Sequence, residues 1–114
     1  ELFLDARLAI RDTLRVATTF GYGPRYLHST GQLHKGGANK GAFIQITCDP
    51  RRDLPIPGQN FTFGTLIRAQ SMGDMQSLRK HGRRIIRLHI TGDHSVGVER
   101  IRQAIRESLS GLGV

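Results

Sequence analysis

The sequence has little sulfur, few aromatic rings and no long apolar run. One cysteine among 114 residues, Cys48, excludes an intrachain disulfide and with it the disulfide-stapled secreted scaffolds. A lone cysteine fits a reducing, cytoplasmic setting, and Cys48 itself is expected to be a buried structural thiol. Tryptophan is absent and aromatic residues make up only 6% of the chain, which argues against a surface that stacks on single strands of nucleic acid. The longest apolar runs last a few residues, so neither a membrane span nor a signal peptide is expected. The first residue is Glu1 rather than Met, which fits a fragment of a longer chain or a processed one. No internal repeat and no low-complexity linker is visible.

Acidic residues are also in short supply, with nine Asp and Glu against 17 Lys and Arg, for a formal net charge of +8. Such a balance attracts polyanions and phosphorylated small molecules. The arginines are spread from Arg7 to Arg106 without a long block of like charge. That spread favours a solvated basic surface over a dedicated nucleic-acid stripe. A hydrophobic content of 38% fits one compact globular domain over the whole chain, 1–114.

Periodicity orders the elements. Residues 2–15 read as a helix with Leu2, Ala6, Ala9, Ile10 and Thr13 on one face. The β-branched and aromatic run 16–22 reads as a short strand, and the apolar run 41–48 as a second one covered on both faces. Three prolines make 49–60 a loop. A long helix follows over 62–81, with Thr62 or Asn60 as its cap, Gly82 as its left-handed stop, and Phe63, Leu66, Ile67, Met75 and Leu78 on one face. A third strand spans 84–90. Gly92 and Asp93 turn the chain, and Ser95 is placed to cap a last helix carrying Val98, Ile101, Ile105, Leu109 and Leu112. The order α-β-β-α-β-α predicts an α/β three-layer sandwich, a mainly parallel sheet flanked by helices.

Between the first two expected strands lies the polar stretch 23–37, rich in glycine and carrying His28, His34, Arg25, Lys35, Ser29, Thr30 and Gln32. Flexible backbone with many hydrogen-bonding side chains suits a ligand-binding loop. Following a strand, the loop is expected on the rim where the strands' carboxyl ends gather ligands. The five histidines and Cys48 lack metal-ligand spacing, and the glycines match neither a phosphate-binding nor a dinucleotide fingerprint. Ser29 lacks the strand-elbow-helix context of a hydrolase nucleophile. What the loop does offer is acid-base chemistry from a histidine, hydroxyl and amide partners for a sugar in Ser29, Thr30 and Gln32, and a cation for phosphate in Arg25 or Lys35.

The run Leu27-His28-Ser29-Thr30-Gly31-Gln32 is similar to the Leu-His-Ser-Met-Gly-Gln segment of short bacterial glucose-6-phosphate isomerases. The longer run from Gly21 to Gly37 resembles more closely the isomerase half of bifunctional transaldolase/glucose-6-phosphate isomerase fusions. Further similar segments are Phe43-Ile44-Gln45-Ile46-Thr47, Leu54-Pro55-Ile56-Pro57-Gly58, Phe61-Thr62-Phe63-Gly64-Thr65-Leu66 and Arg68-Ala69-Gln70, in the expected order. The resemblance implies a flavodoxin-like sugar-isomerase fold and interconversion of glucose 6-phosphate with fructose 6-phosphate. It implies no metal and no cofactor. By the matching run, His28 would assist ring opening, with Ser29, Thr30, Gln32, Lys35 and Arg25 on the substrate.

The family's proton-shuttling glutamate sits in a Gly-Glu-Ser motif, where this sequence reads Asp5-Ala6-Arg7-Leu8-Ala9. Its C-terminal lysine motif is only echoed in His94-Ser95-Val96-Gly97-Val98-Glu99-Arg100, and an arginine does not readily exchange a proton. The resemblance therefore implies the C-terminal portion of such an isomerase. Its partners would be a sugar-phosphate substrate, the rest of the isomerase, a transaldolase domain and further copies in a homo-oligomer, without a membrane. Two alternatives stand beside it: a non-catalytic sugar-phosphate-binding or oligomerisation domain, and a basic nucleic-acid-binding module.

Overall fold

The computed structural model of the chain describes residues 2–22, 41–50 and 52–112. The elements are α1 (Leu4–Leu14), β1 (Ala42–Cys48), α2 (Phe63–Lys80), β2 (Arg84–Ile90) and α3 (His94–Ser110). Among the described residues this is an α/β protein with three helices and a two-stranded parallel sheet. The chain divides into two compact units, one made of residues 1–20 and 90–114, the other of residues 21–89.

In the first unit α1 packs against α3. The expected apolar faces meet this way: Ala6 is buried on α1 and Ile101 on α3, joined by Phe3 and Ile90. Gly97 leaves room for Ile90, whose side chain occupies the space a Cβ on that residue would need. Arg102 of α3 fixes the helix pair at its edge, donating to Asp5 on α1 at 2.7 Å and to Glu99 on its own helix at 3.1 Å. The cap of α3 is Asp93 rather than Ser95, because the Asp93 carboxylate accepts from the backbone N–H groups of Ser95 and Val96.

The strand expected over 16–22 does not form. Arg15 closes α1 in the left-handed region at φ 55° and turns the chain back. Arg7 then holds the returning segment, donating to the Thr18 hydroxyl at 3.2 Å and to the Thr18 carbonyl at 3.0 Å. The ring of Phe20 comes to rest 6.2 Å from that of Phe3. A carbonyl taken by a guanidinium is withdrawn from ladder pairing, so β-branched composition is overruled by a side chain eleven residues earlier in the chain.

In the second unit β1, α2 and β2 form a βαβ segment. Gln45 reaches from β1 to the carbonyl of Ser71 at 2.8 Å and ties α2 to one face of the sheet. Among the described residues the other face is exposed at several positions. Ile44 is 46% and Ile86 55% exposed, and Cys48, on the same face by its even register, is exposed rather than buried as expected. Two-sided burial of β1 needs a further layer, which the described residues do not supply. The apolar stripe of α2 divides in the same way: Leu78 is buried, while Phe63, Leu66 and Ile67 are exposed. Thr62 caps α2 by accepting from Thr65 N–H, and Gly82 ends it at φ 70°.

Candidate functional site

The described residues that gather chemical groups lie at the carboxyl ends of the two parallel strands, where α/β sheets collect ligands. With side chains alternating along a strand, Thr47 and His89 fall on the same face of neighbouring strands, one residue before each strand ends. Thr47 Oγ1 and His89 Nδ1 are 2.7 Å apart. His89 Nε2 lies 3.1 Å from Oδ1 of Asp49, the first residue after β1. A carboxylate only accepts, so Nε2 carries the proton toward Asp49, and in the neutral imidazole Nδ1 accepts from the Thr47 hydroxyl. Thr47 stands inside a strand and not on a nucleophile elbow, so its hydroxyl orients the ring.

Two arginines complete the cluster. Arg68 of α2 places a guanidinium nitrogen 3.7 Å from Asp49 Oδ1, an ion pair without the reach of a hydrogen bond. Arg87 stands two residues before His89 on the same face, and its Nε–H is buried with no acceptor among the described residues. A buried donor left unsatisfied costs about 1–3 kcal/mol. Asp49, Arg68, Arg87 and His89 line an open cavity of about 430 Å³.

The segment before α2 sets where Arg68 stands. Pro57 and Gly58, the latter at φ 79°, occupy the two central positions of a tight turn in which Gln59 N–H donates to the Ile56 carbonyl. Pro55 and Thr62 pair as an isolated antiparallel bridge, and Phe63 N–H donates to the Leu54 carbonyl at 2.9 Å. Asp53 closes the arrangement. Its carboxylate accepts from Gly64 N–H at 2.9 Å, the Thr62 hydroxyl at 2.8 Å and Leu54 N–H at 2.9 Å. These bonds, the one from Gly64 foremost, hold the Asp53 carboxyl below its ordinary range. The start of α2 is thus served by a side chain of the protein itself. The loop 49–60 caps a helix through Asp53 and supplies Asp49 to the cluster.

Of the site residues expected from sequence, His28, Ser29, Thr30, Gln32, Lys35 and Arg25 all lie in 23–40, outside the described residues. Their expected place on the carboxyl rim rested on a strand over 16–22, and that basis is gone. His81 Nδ1–H donates to the Ser77 carbonyl at 2.7 Å at the end of α2, a structural role. Among the described residues no group of His, Cys, Asp or Glu is arranged to hold a metal ion. No helix among them is long and apolar enough to cross a membrane.

His89, Asp49, Arg68 and Arg87 form no motif in the sequence. The usable signal was register: Thr47 and His89 are the penultimate residues of two apolar runs, and Asp49 follows the first. No protein family, curated protein or solved structure matches the chain.

Proposed function

We propose that the chain is the C-terminal α/β portion of a glucose-6-phosphate isomerase of the kind fused to transaldolase, with His28 assisting ring opening of the sugar. The observation that carries this reading is the ordered set of sequence resemblances headed by Leu27-His28-Ser29-Thr30-Gly31-Gln32. Ser29, Thr30 and Gln32 then serve the sugar hydroxyls, and Lys35 and Arg25 the phosphate. The parallel βαβ unit supports the reading, since it is the repeating element of a flavodoxin-like three-layer sandwich. The exposed side chains Ile44 and Ile86 on one face of the sheet, and Phe63 and Ile67 on α2, support it as well, because exposed apolar groups of this size are often covered by further structure. In this reading the remaining isomerase, or a second copy in a homo-oligomer, covers them.

The catalytic glutamate and the substrate's main phosphate site belong to the rest of the isomerase. The 114 residues alone are therefore expected to show little turnover of fructose 6-phosphate, while a protein that joins them to a preceding sugar-isomerase domain converts it and binds 6-phosphogluconate. A joined protein without turnover contradicts the reading, and so does full activity in the isolated chain.

A further inference from the structure

The cavity at the ends of β1 and β2 has no part in the isomerase reading, and its lining points to a ligand class of its own. Arg68 and Arg87 bring two positive charges and Asp49 one negative, so the lining carries +1 with His89 neutral. Asp49 does not saturate these donors. Its distance of 3.7 Å from Arg68 exceeds the roughly 2.7–2.9 Å of a charge-assisted hydrogen bond. The carboxylate is also 54% exposed, on a loop outside the sheet. Arg87 Nε–H is buried without an acceptor among the described residues. Two guanidinium side chains and an imidazole lining an open space, at the carboxyl rim of parallel strands, match an oxyanion with several oxygens.

A phosphate monoester suits the place better than a carboxylate. It offers three terminal oxygens and carries about −1.5 to −2 charges at neutral pH. That charge lets it compete with the single charge of Asp49 for Arg68 and His89 Nε2 while reaching Arg87. A nucleic-acid backbone offers one charge per phosphate and gains affinity from a track of contacts, whereas this cavity is one short cluster on one sheet edge. We propose that the cavity lined by Asp49, Arg68, Arg87 and His89 binds a small phosphate monoester, with the two arginines and His89 as donors and Asp49 as the carboxylate the phosphate competes with. The proposal stands on this geometry and is independent of the isomerase reading.

The test titrates the protein, labelled for NMR, with glycerol 3-phosphate, inorganic phosphate, glycerol and a short DNA duplex at fixed ionic strength. Glycerol 3-phosphate is expected to shift the Arg87 Nε–H and His89 imidazole signals, and glycerol is expected to leave them unmoved. Arg68→Gln and Arg87→Gln should each weaken the ester about tenfold or more. Asp49→Asn should tighten it. Arg79→Gln, which removes the same charge from the exposed last turn of α2, should change little. Arg87→Lys, which keeps the charge and loses the fork, serves where Arg87→Gln does not fold, and it too must weaken the ester. Tighter binding of glycerol 3-phosphate than of inorganic phosphate assigns the site to an ester, and equal binding assigns it to the phosphate group alone. Signals that move only with DNA, an ester response that bypasses Arg87 and His89, or an equal loss in Arg79→Gln would overturn the proposal.

Discussion

Asp53 Oδ1 accepts a hydrogen bond from the backbone N–H of Gly64 at 2.9 Å, and a Cβ on Gly64 would stand 2.7 Å from the other oxygen of the same carboxylate. The Phe-Thr-Phe-Gly run thus has a structural reason in this chain: only a residue without a side chain lets Asp53 close over the start of α2.

A pair of glycine substitutions in one helix separates this effect from helix propensity. Gly73 lies in the middle of α2 with nothing within 4 Å of a new Cβ, so Gly73→Ala should stabilise by about 0.5–1 kcal/mol. Gly64→Ala gains the same propensity and loses the Asp53 clamp, so it should fall below wild type in urea denaturation. Equal stabilisation by both substitutions would contradict the clamp.

The Asp53 carboxyl also gives the stability curve an acid limb. Its pKa is lowered in the folded protein from an ordinary value near 3.8, chiefly by the bond from Gly64. The unfolded chain therefore binds this proton more readily, and the stabilisation is complete above the ordinary value. It is lost as pH falls through that value toward the lower folded-state one. Asp53→Asn should lower the melting temperature at neutral pH and flatten its decline on acidification. Parallel curves for the two proteins would place the acid limb elsewhere.

Arg7 holds the segment after α1 through Thr18, so Arg7→Ala should release that segment first. Limited proteolysis is expected to cut faster within 16–22, with helix content retained and stability down by about 1 kcal/mol. Thr18→Val, which removes the hydroxyl and keeps the carbonyl, should do less. Unchanged cleavage in Arg7→Ala would show that the Phe3–Phe20 contact alone holds the segment.

Much of this fold was legible where local signals agreed with one another. The apolar run of β2 lies between Gly82 and Gly92, and both glycines have positive φ, so punctuation and pattern coincide. The face Val98-Ile101-Ile105-Leu109 keeps helical spacing and turns inward in α3. The stretch 16–22 carried strand composition with no ladder partner, and Arg7 took its carbonyl. Cys48 and Ile44 read as buried because their neighbours are apolar, yet burial depends on a covering layer that strand composition does not encode. The Thr47–His89–Asp49 cluster was hidden for a related reason: His89 stands 42 residues from Thr47 and 40 from Asp49 and meets them only through strand register.

The isomerase reading turns on His28, and one comparison tests it most directly. In a protein that joins this chain to the rest of the isomerase, turnover of fructose 6-phosphate is measured for wild type and His28→Ala. General acid-base assistance contributes about 100-fold to 10,000-fold, so His28→Ala should lose at least about 100-fold in kcat while any transaldolase activity stays intact. Equal isomerase turnover in the two proteins would contradict the assignment.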